Sequence, residues 1–313
     1  MLEATGTALI GLDWGTSSFR ACRMDRAGRV LERRQAPAGI MNVAQGRFEQ
    51  TLEEQVGDWL AAGPKVPVLA SGMIGSRQGW VEVPYLACPA GGEAIGAALL
   101  AHTAPSGRVL HFVPGLSGRD PLGIPDVMRG EETQIVGALA GEKGTRLVLL
   151  PGTHSKWALV ENGSVRWFAS FMTGELFAVL RGHSILGRLM EGAADDEEGF
   201  ARGVEVGLGR AAVAGGTLRR LFSARTMALM GDVPPRGVAA YLSGLLIASE
   251  VREALDCVDG AGASGSVLLV GGEALTARYA QALEAAAIGH EVAQGEPAAR
   301  GQYLIARAAG LLG

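Results

Sequence analysis

The chain has 313 residues, 48% of them hydrophobic and 19% charged, with a formal net charge of -4. That apolar fraction supports sizeable cores over about two domains of roughly 150 residues and excludes wholesale disorder. The slight acidity gives no general reason to bind nucleic acid or an anionic membrane, and no apolar run approaches the roughly 18 residues of a membrane span.

Cys22, Cys88 and Cys257 are well separated and odd in number, which suits reduced thiols better than a disulfide framework. Residues 1–7 lack the basic-then-apolar order of a signal peptide. The expectation is a cytoplasmic protein, monomer or homodimer.

In chain order, residues 8–12 predict an apolar strand, 13–18 a polar turn, 19–24 a second strand, and 25–28 a turn into a third strand beginning at Val30. Apolar spacing through Leu52, Val56, Trp59 and Leu60 predicts a helix over 50–62. A strand at VPVLASG and a Gly- and Pro-rich loop to Pro89 come next. Residues 114–126 read as loop and 130–140 as helix. A second cycle then starts, with strands at 147–150, 156–160 and 165–168 separated by turns at 151–155 and 161–164. The two cycles echo one another, which predicts two related halves with a break near 141–145. Helices are expected over 178–190, 200–214 and 238–255, and VLLVGGEAL (267–275) reads as a buried strand, a Gly-Gly turn and a helix start. The fold class is α/β.

Four turns carry residue types suited to chemistry. In the first, Gly15, Thr16, Ser17 and Ser18 offer close backbone approach and hydroxyls for phosphate oxygens, and Asp13 offers an oxygen ligand for Mg²⁺. Gly152, Thr153, His154, Ser155 and Lys156 offer the same in the second cycle, with positive charge added. Gly271-Gly272-Glu273 closes a strand where a flat ring can lie on backbone. Arg129-Gly130-Glu131-Glu132 opens a helix, where acids either favour the helix dipole or take a proton from an attacking hydroxyl. Adjacent helical acids point about 100° apart, so at most one of them faces a given substrate. There is no G-x-x-x-x-G-K-[ST] phosphate loop. Gly207-Leu208-Gly209-Arg210 lies in a helical stretch and reads as packing.

Taken in order, LIGLDWGTSSFRACRMDRAGRVL, LPGTHSKWALVENGSV and VLLVGGEAL resemble the first phosphate, second phosphate and adenosine segments of the actin, Hsp70 and sugar-kinase superfamily. The resemblance implies two ribonuclease H-like domains flanking a nucleotide cleft, here 1–143 and 144–313. Closer still, LDWGTSSFRA, ASGMIGSRQGW, PDVMRGEETQIVGAL, PGTHSKW and SFMTGELFAVLRGHSILG resemble the 2-dehydro-3-deoxygalactonokinase family from end to end. That family resemblance implies ATP- and Mg²⁺-dependent phosphorylation of 2-dehydro-3-deoxy-D-galactonate at its 6-hydroxyl.

ASGMIGSRQGW is also similar to the substrate segment of glycerol and xylulose kinases. On that match Ser71, Gly72, Met73 and Gln78 lie near the sugar acid, and Arg77 pairs with its carboxylate; Arg129 and Arg20 are further candidates for that pairing. RGEETQIVG is similar to their G-D-Q-x-A-x-x-x-G segment, which places Glu131 as catalytic base, with Glu132 as the alternative. Two departures stand out: Glu replaces the group's Asp, and the second phosphate turn has no Asp, which leaves Asp13 as the acidic anchor of the metal. The rival readings are a kinase of another polyol or amino sugar, and a nucleotide switch without a small-molecule acceptor.

Overall fold

The computed structural model describes residues 6–44, 46–209, 216–259 and 266–312. The chain opens with an antiparallel meander, β1 (Leu9–Trp14), β2 (Phe19–Met24) and β3 (Val30–Ala36). Then come α1 (Phe48–Ala62), β4 (Val68–Ser71), β5 (Leu86–Ala87), β6 (Ala90–Gly91), α2 (Gly92–Ala97), β7 (Leu100–Thr103) and β8 (Val109–Phe112). The strands β9 (Leu116–Arg119) and β10 (Pro125–Met128) lead into α3 (Glu131–Ala138).

The second meander is β11 (Thr145–Leu150), β12 (Ser155–Glu161) and β13 (Ser164–Phe171). Helices α4 (Thr173–His183), α5 (Glu197–Leu208), α6 (Thr217–Leu221), α7 (Ser223–Met230) and α8 (Val238–Asp259) follow. The chain closes with β14 (Val267–Leu269), α9 (Glu273–Ala285), β15 (His290–Val292) and α10 (Pro297–Ala308).

The first sheet runs β3-β2-β1-β4-β8-β7 and the second β13-β12-β11-β14-β15, with β6 on the free edge of β13. In both sheets the meander is antiparallel, and the next two strands add in parallel beside its first strand. The echo in the sequence is therefore a repeat of topology.

Alternation along each strand sorts side chains into layers. On β1, Ile10, Leu12 and Trp14 pack outward with Phe48, Leu52, Val56 and Trp59 of α1. Leu9 points inward, as do Met24 and Leu69, into a core shared with Ile135 of α3, Ile305 of α10, and Val148, Leu150 and Val270 of the second half. Helices α3 and α10 thus lie between the two sheets. The outer face of the second sheet, with Leu147, Leu149 and Trp157, is covered by α5, α8 and α9.

Two expectations are corrected. The stretch 114–126 is not all loop: β9 and β10 pair with β5 into a small third sheet, and Asp126 accepts from the Ser170 amide at 2.6 Å and its hydroxyl at 2.8 Å. The helix expected over 178–190 begins at Thr173 and ends at His183, with Gly174 seating its first turn on Gly152 and Thr153 of the β11–β12 turn. The helix expected over 200–214 is α5; its last expected residues lie outside the described ones. Gly207 packs within that helix, where a Cβ would meet the Leu245 carbonyl of α8 at 2.6 Å. No helix among the described residues is long and apolar enough to cross a membrane.

Candidate active site

The turn between β1 and β2 is held from behind. The Gly15 amide donates to the Ser18 carbonyl at 2.9 Å, and Ile40 and Met41 amides donate to Gly15 and Thr16 carbonyls at 3.0 and 3.1 Å. A Cβ on Gly39 would stand 2.3 Å from the Ser17 carbonyl carbon, so only glycine lets this support come so close. Thr16 and Ser17 remain exposed at the tip.

Asp13 ends β1 on the inward face, the side of α3 and α10. Arg20 Nη1 lies 3.2 Å from its Oδ2, but burial dominates and raises its carboxyl above the ordinary value. A cavity of about 510 Å³ brings Asp13 together with Gly271 and Gly272 of the second half, Gln134 of α3 and Gln302 of α10. Glu273 begins α9 just beyond it and is exposed. Asp13 and the Gly271-Gly272 turn therefore open on one space.

The second turn differs in where its side chains point. Gly152 packs under α4: a Cβ on Gly174 would meet the Gly152 carbonyl at 2.5 Å, and the Glu175 amide donates to the Thr153 carbonyl at 3.0 Å. His154 is exposed and paired with Glu175. Ser155 is fully buried on the outer face of β12. Its Oγ donates to Glu250 Oε2 at 3.1 Å and bonds the Tyr279 hydroxyl at 2.8 Å. Its hydroxyl is thus engaged below the turn, with Glu250 and Tyr279, rather than at the tip. Lys156, one residue on, takes the opposite face and lies close enough to Glu131 to offset part of the desolvation that raises that carboxyl.

Glycines at positive φ join the substrate segment to α3. Gly72 has φ 90° and Gly130 φ 107°, values that other residues rarely adopt. A Cβ on Gly130 would be 3.3 Å from the Gly72 Cα, and one on Gly72 would be 2.9 Å from the Trp14 carbonyl. The start of α3 is thereby pressed against the end of β1, beside Asp13.

The two glutamates there are unlike. Glu132 is fully buried; it accepts from the Gly130 amide at 2.6 Å and from the Thr133 hydroxyl at 2.9 Å. Desolvation first, and the neighbouring Glu131 charge second, push its carboxyl up to about 7. Glu131 is half-buried, and its Oε2 accepts from the Arg129 amide at 3.0 Å. Desolvation raises its carboxyl, Lys156 lowers it, and Asp13 is near enough to raise it further.

Of the substrate-segment residues, Ser71 is committed to structure: it donates to the Leu12 carbonyl at 3.1 Å and accepts from Gln302 at 2.9 Å. Met73 packs against the outer core of the first sheet. Arg77 and Gln78 are exposed. Arg129 stacks over Tyr85 with its Cζ 4.4 Å from the ring centroid and donates to the Val83 carbonyl at 2.7 Å. Its Nε and Nη1 are buried without a hydrogen-bond partner. The structure thus gathers Asp13, Glu131 and Lys156 at the cleft, and leaves Ser71 and Ser155 in supporting positions. Sequence reasoning missed Gly39, Gln302, Tyr279 and Glu250. Only Glu250 had a signal, as an acid inside an otherwise apolar helical run.

The family profile described as 2-keto-3-deoxy-galactonokinase matches residues 13–305. The chain belongs to this family. The 2-dehydro-3-deoxygalactonokinase of Escherichia coli (strain K12) is 36% identical over 278 residues, spanning 88% of this chain and 89% of that protein. A Rhizobium meliloti (strain 1021) protein named as a probable 2-dehydro-3-deoxygalactonokinase is 37% identical over 294 residues, 92% of this chain and 93% of its own. The solved structure of a Sinorhizobium meliloti protein carrying the same kinase name superposes with a TM-score of 0.82 at 34% identity, over 96% of this chain and 98% of that one. At the level of fold alone, component A of the Acidaminococcus fermentans (R)-2-hydroxyglutaryl-CoA dehydratase aligns with a TM-score of 0.51 at 14% identity, over 96% of this chain and 98% of that one. As a member of this kinase family, the chain is an enzyme with the actin-like ATPase and sugar-kinase fold.

Proposed function

We propose that the protein transfers the γ-phosphoryl group of ATP to the 6-hydroxyl of 2-dehydro-3-deoxy-D-galactonate, giving the 6-phosphate and ADP in galactonate catabolism. Family membership supports the substrate, and the observation that carries the mechanism is Glu131. It is the half-buried member of the acidic pair, fixed by the Arg129 amide, beside Asp13 of one half and Lys156 of the other. A base works best with its pKa moved toward the working pH, and desolvation moves Glu131 in that direction. Glu132 has both oxygens engaged in holding the start of α3, so Glu131 is assigned the base and Glu132 the support.

In the proposed reaction Glu131 accepts the proton of the attacking hydroxyl as its oxygen bonds to the γ-phosphorus, and the bond from that phosphorus to the β-bridging oxygen breaks to release ADP. Thr16 and Ser17, with Gly15, hold phosphate oxygens from the first half. Gly152 and Thr153 hold them from the second, and Lys156 supplies positive charge from the inner face of β12. Gly271 and Gly272 seat the adenosine. Arg77 or Arg129 reads the substrate carboxylate.

Asp13 fits a Mg²⁺ ligand in kind: a largely desolvated carboxylate with one exposed cationic partner, on the floor of the cavity. Mg²⁺ needs only one or two such oxygens beside phosphates and water, and when bound it neutralises phosphate charge. We also propose domains of 1–143 and 144–313 that close on their substrates and exclude water. A cytoplasmic location is proposed on the three cysteines, all free.

The test is coupled ADP release with Mg-ATP across 2-dehydro-3-deoxy-galactonate, its gluconate epimer, galactonate, glycerol, xylulose and N-acetylglucosamine. Turnover on the first is expected; turnover only on another compound voids the substrate, and ATP binding without any turnover favours a nucleotide switch. In the same assay Glu131→Gln should lower kcat by about two or more powers of ten. Near-normal turnover in that variant, with Glu132→Gln dead, moves the base by one residue.

A further inference from the structure

Directly beneath the second phosphate turn is a buried carboxylate that the reaction above does not use. Glu250 sits in mid-α8 at 3% exposure. Its Oε2 accepts from the Tyr279 hydroxyl at 2.6 Å and from Ser155 Oγ at 3.1 Å, and its Oε1 accepts from Trp157 Nε1 at 2.9 Å. The Thr173 hydroxyl is a further partner.

Stability alone is a weak reason for such a group. Burying a carboxylate costs several kcal/mol, and apolar replacements of whole buried ionic networks are often neutral or stabilising. What the network does uniquely is fix positions, and the donors it holds come from β12, α4 and α9.

Three of these donors adjoin segments assigned to the nucleotide. Ser155 ends the second phosphate turn. Thr173 precedes Gly174 and Glu175, which press on Gly152 and bond Thr153. Tyr279 lies in α9, which starts immediately after Gly271-Gly272 and is tied back to it by Thr276 Oγ1 donating to the Gly272 carbonyl at 3.1 Å. One carboxylate therefore sets the second phosphate turn and the adenosine turn in mutual register.

We propose that Glu250 is a positioning residue for ATP, acting through both turns without touching the nucleotide. The proposal rests on the kinase reading above.

It is tested on the full chain by calorimetric titration with ATP in the absence of sugar acid, together with separate KM values for the two substrates. Glu250→Ala removes the acceptor shared by Ser155, Trp157, Thr173 and Tyr279 and should weaken ATP binding by about tenfold or more, with the sugar-acid KM within about twofold. Glu250→Gln keeps an acceptor for Trp157, and its amide donates to hydroxyls able to turn and accept, so ATP binding should stay within about threefold of wild type.

A folded Glu250→Ala that binds ATP like wild type overturns the proposal. So does a parallel rise of both KM values that merely tracks lost thermal stability. If Glu250→Ala does not fold, Tyr279→Phe and Trp157→Phe each remove one donor. A several-fold loss of ATP affinity at constant sugar-acid KM then supports the proposal, and unchanged affinity in both refutes it. Wild-type protein that does not bind ATP sinks the kinase reading itself, and this proposal with it.

Discussion

The two phosphate turns occupy the same place in two sheets of the same topology, yet they are anchored in opposite ways. The first carries its acid in the strand, at Asp13, with Glu131 and Glu132 pressed against it by α3. The second carries a lysine on the inner face, at Lys156, and takes its acid from below, at Glu250 on the outer face. Duplicated topology thus fixes where a turn is, while the parity of a single strand residue decides whether a side chain reaches the cleft or the core. Beside the first turn stand the carboxylates of Asp13, Glu131 and Glu132, and beside the second, on the inner face, the Lys156 ammonium.

The largest break in that contrast is Asp13→Asn. Removing the sole acid of the first turn should lower kcat by about two powers of ten, and raising Mg²⁺ should not restore it. Moderate loss, recovered at high Mg²⁺, would instead place the principal metal ligand elsewhere.

The supports of the turns come next. Gly39→Ala and Gly174→Ala each place a methyl within 2.5 Å of turn backbone, at Ser17 and Gly152 respectively. Each should cost about 1–3 kcal/mol in a denaturation midpoint and raise the KM for ATP several-fold. If only Gly39→Ala alters KM, the second turn gives the polyphosphate no contact.

The acidic side can be sharpened through pH. The Glu132 carboxyl stands at about 7 in the fold against an ordinary 4.5. The folded protein holds this proton more tightly than the unfolded chain, so the associated stability is fully present below about 4.5 and lost as pH rises through about 7. The loss is about 3 kcal/mol at most. Glu132→Gln keeps an acceptor for the Gly130 amide, its amide nitrogen donates to a Thr133 hydroxyl that turns to accept, and it should flatten this dependence, which urea midpoints at several pH values between 4 and 9 will show. An offset from wild type that is constant with pH would mean the buried acid does not titrate in this range.

Much of this was legible in the chain. Both meanders and the order of phosphate and adenosine segments follow from apolar runs broken by Gly- and Asp-containing turns. The β9–β10 hairpin was not, because LSGR and PDVM are too short to show a period, and they are held by Asp126 bonding to Ser170 across the molecule. Gly39 gave no signal, since its constraint comes from a turn more than twenty residues earlier. The face Ser155 takes was legible too: Trp157 had to enter a core, and period 2 puts Ser155 on the same face and Lys156 on the other.

That parity yields the smallest and most discriminating expectation, a pair of serine deletions. Ser17 is exposed in its turn, while Ser155 is fully buried and bonded to Glu250 and Tyr279. Ser17→Ala should leave the melting temperature unchanged and raise the KM for ATP a few-fold, because it deletes a ligand contact from a turn that does not depend on it. Ser155→Ala should do the reverse. It loses a buried hydrogen bond to a charged group, about 1.5–3 kcal/mol, yet Trp157 and Tyr279 still hold Glu250, so KM should stay within about threefold. If instead Ser155→Ala raises KM strongly at constant stability, its hydroxyl turns to the phosphate when the cleft closes, and the two turns are alike after all.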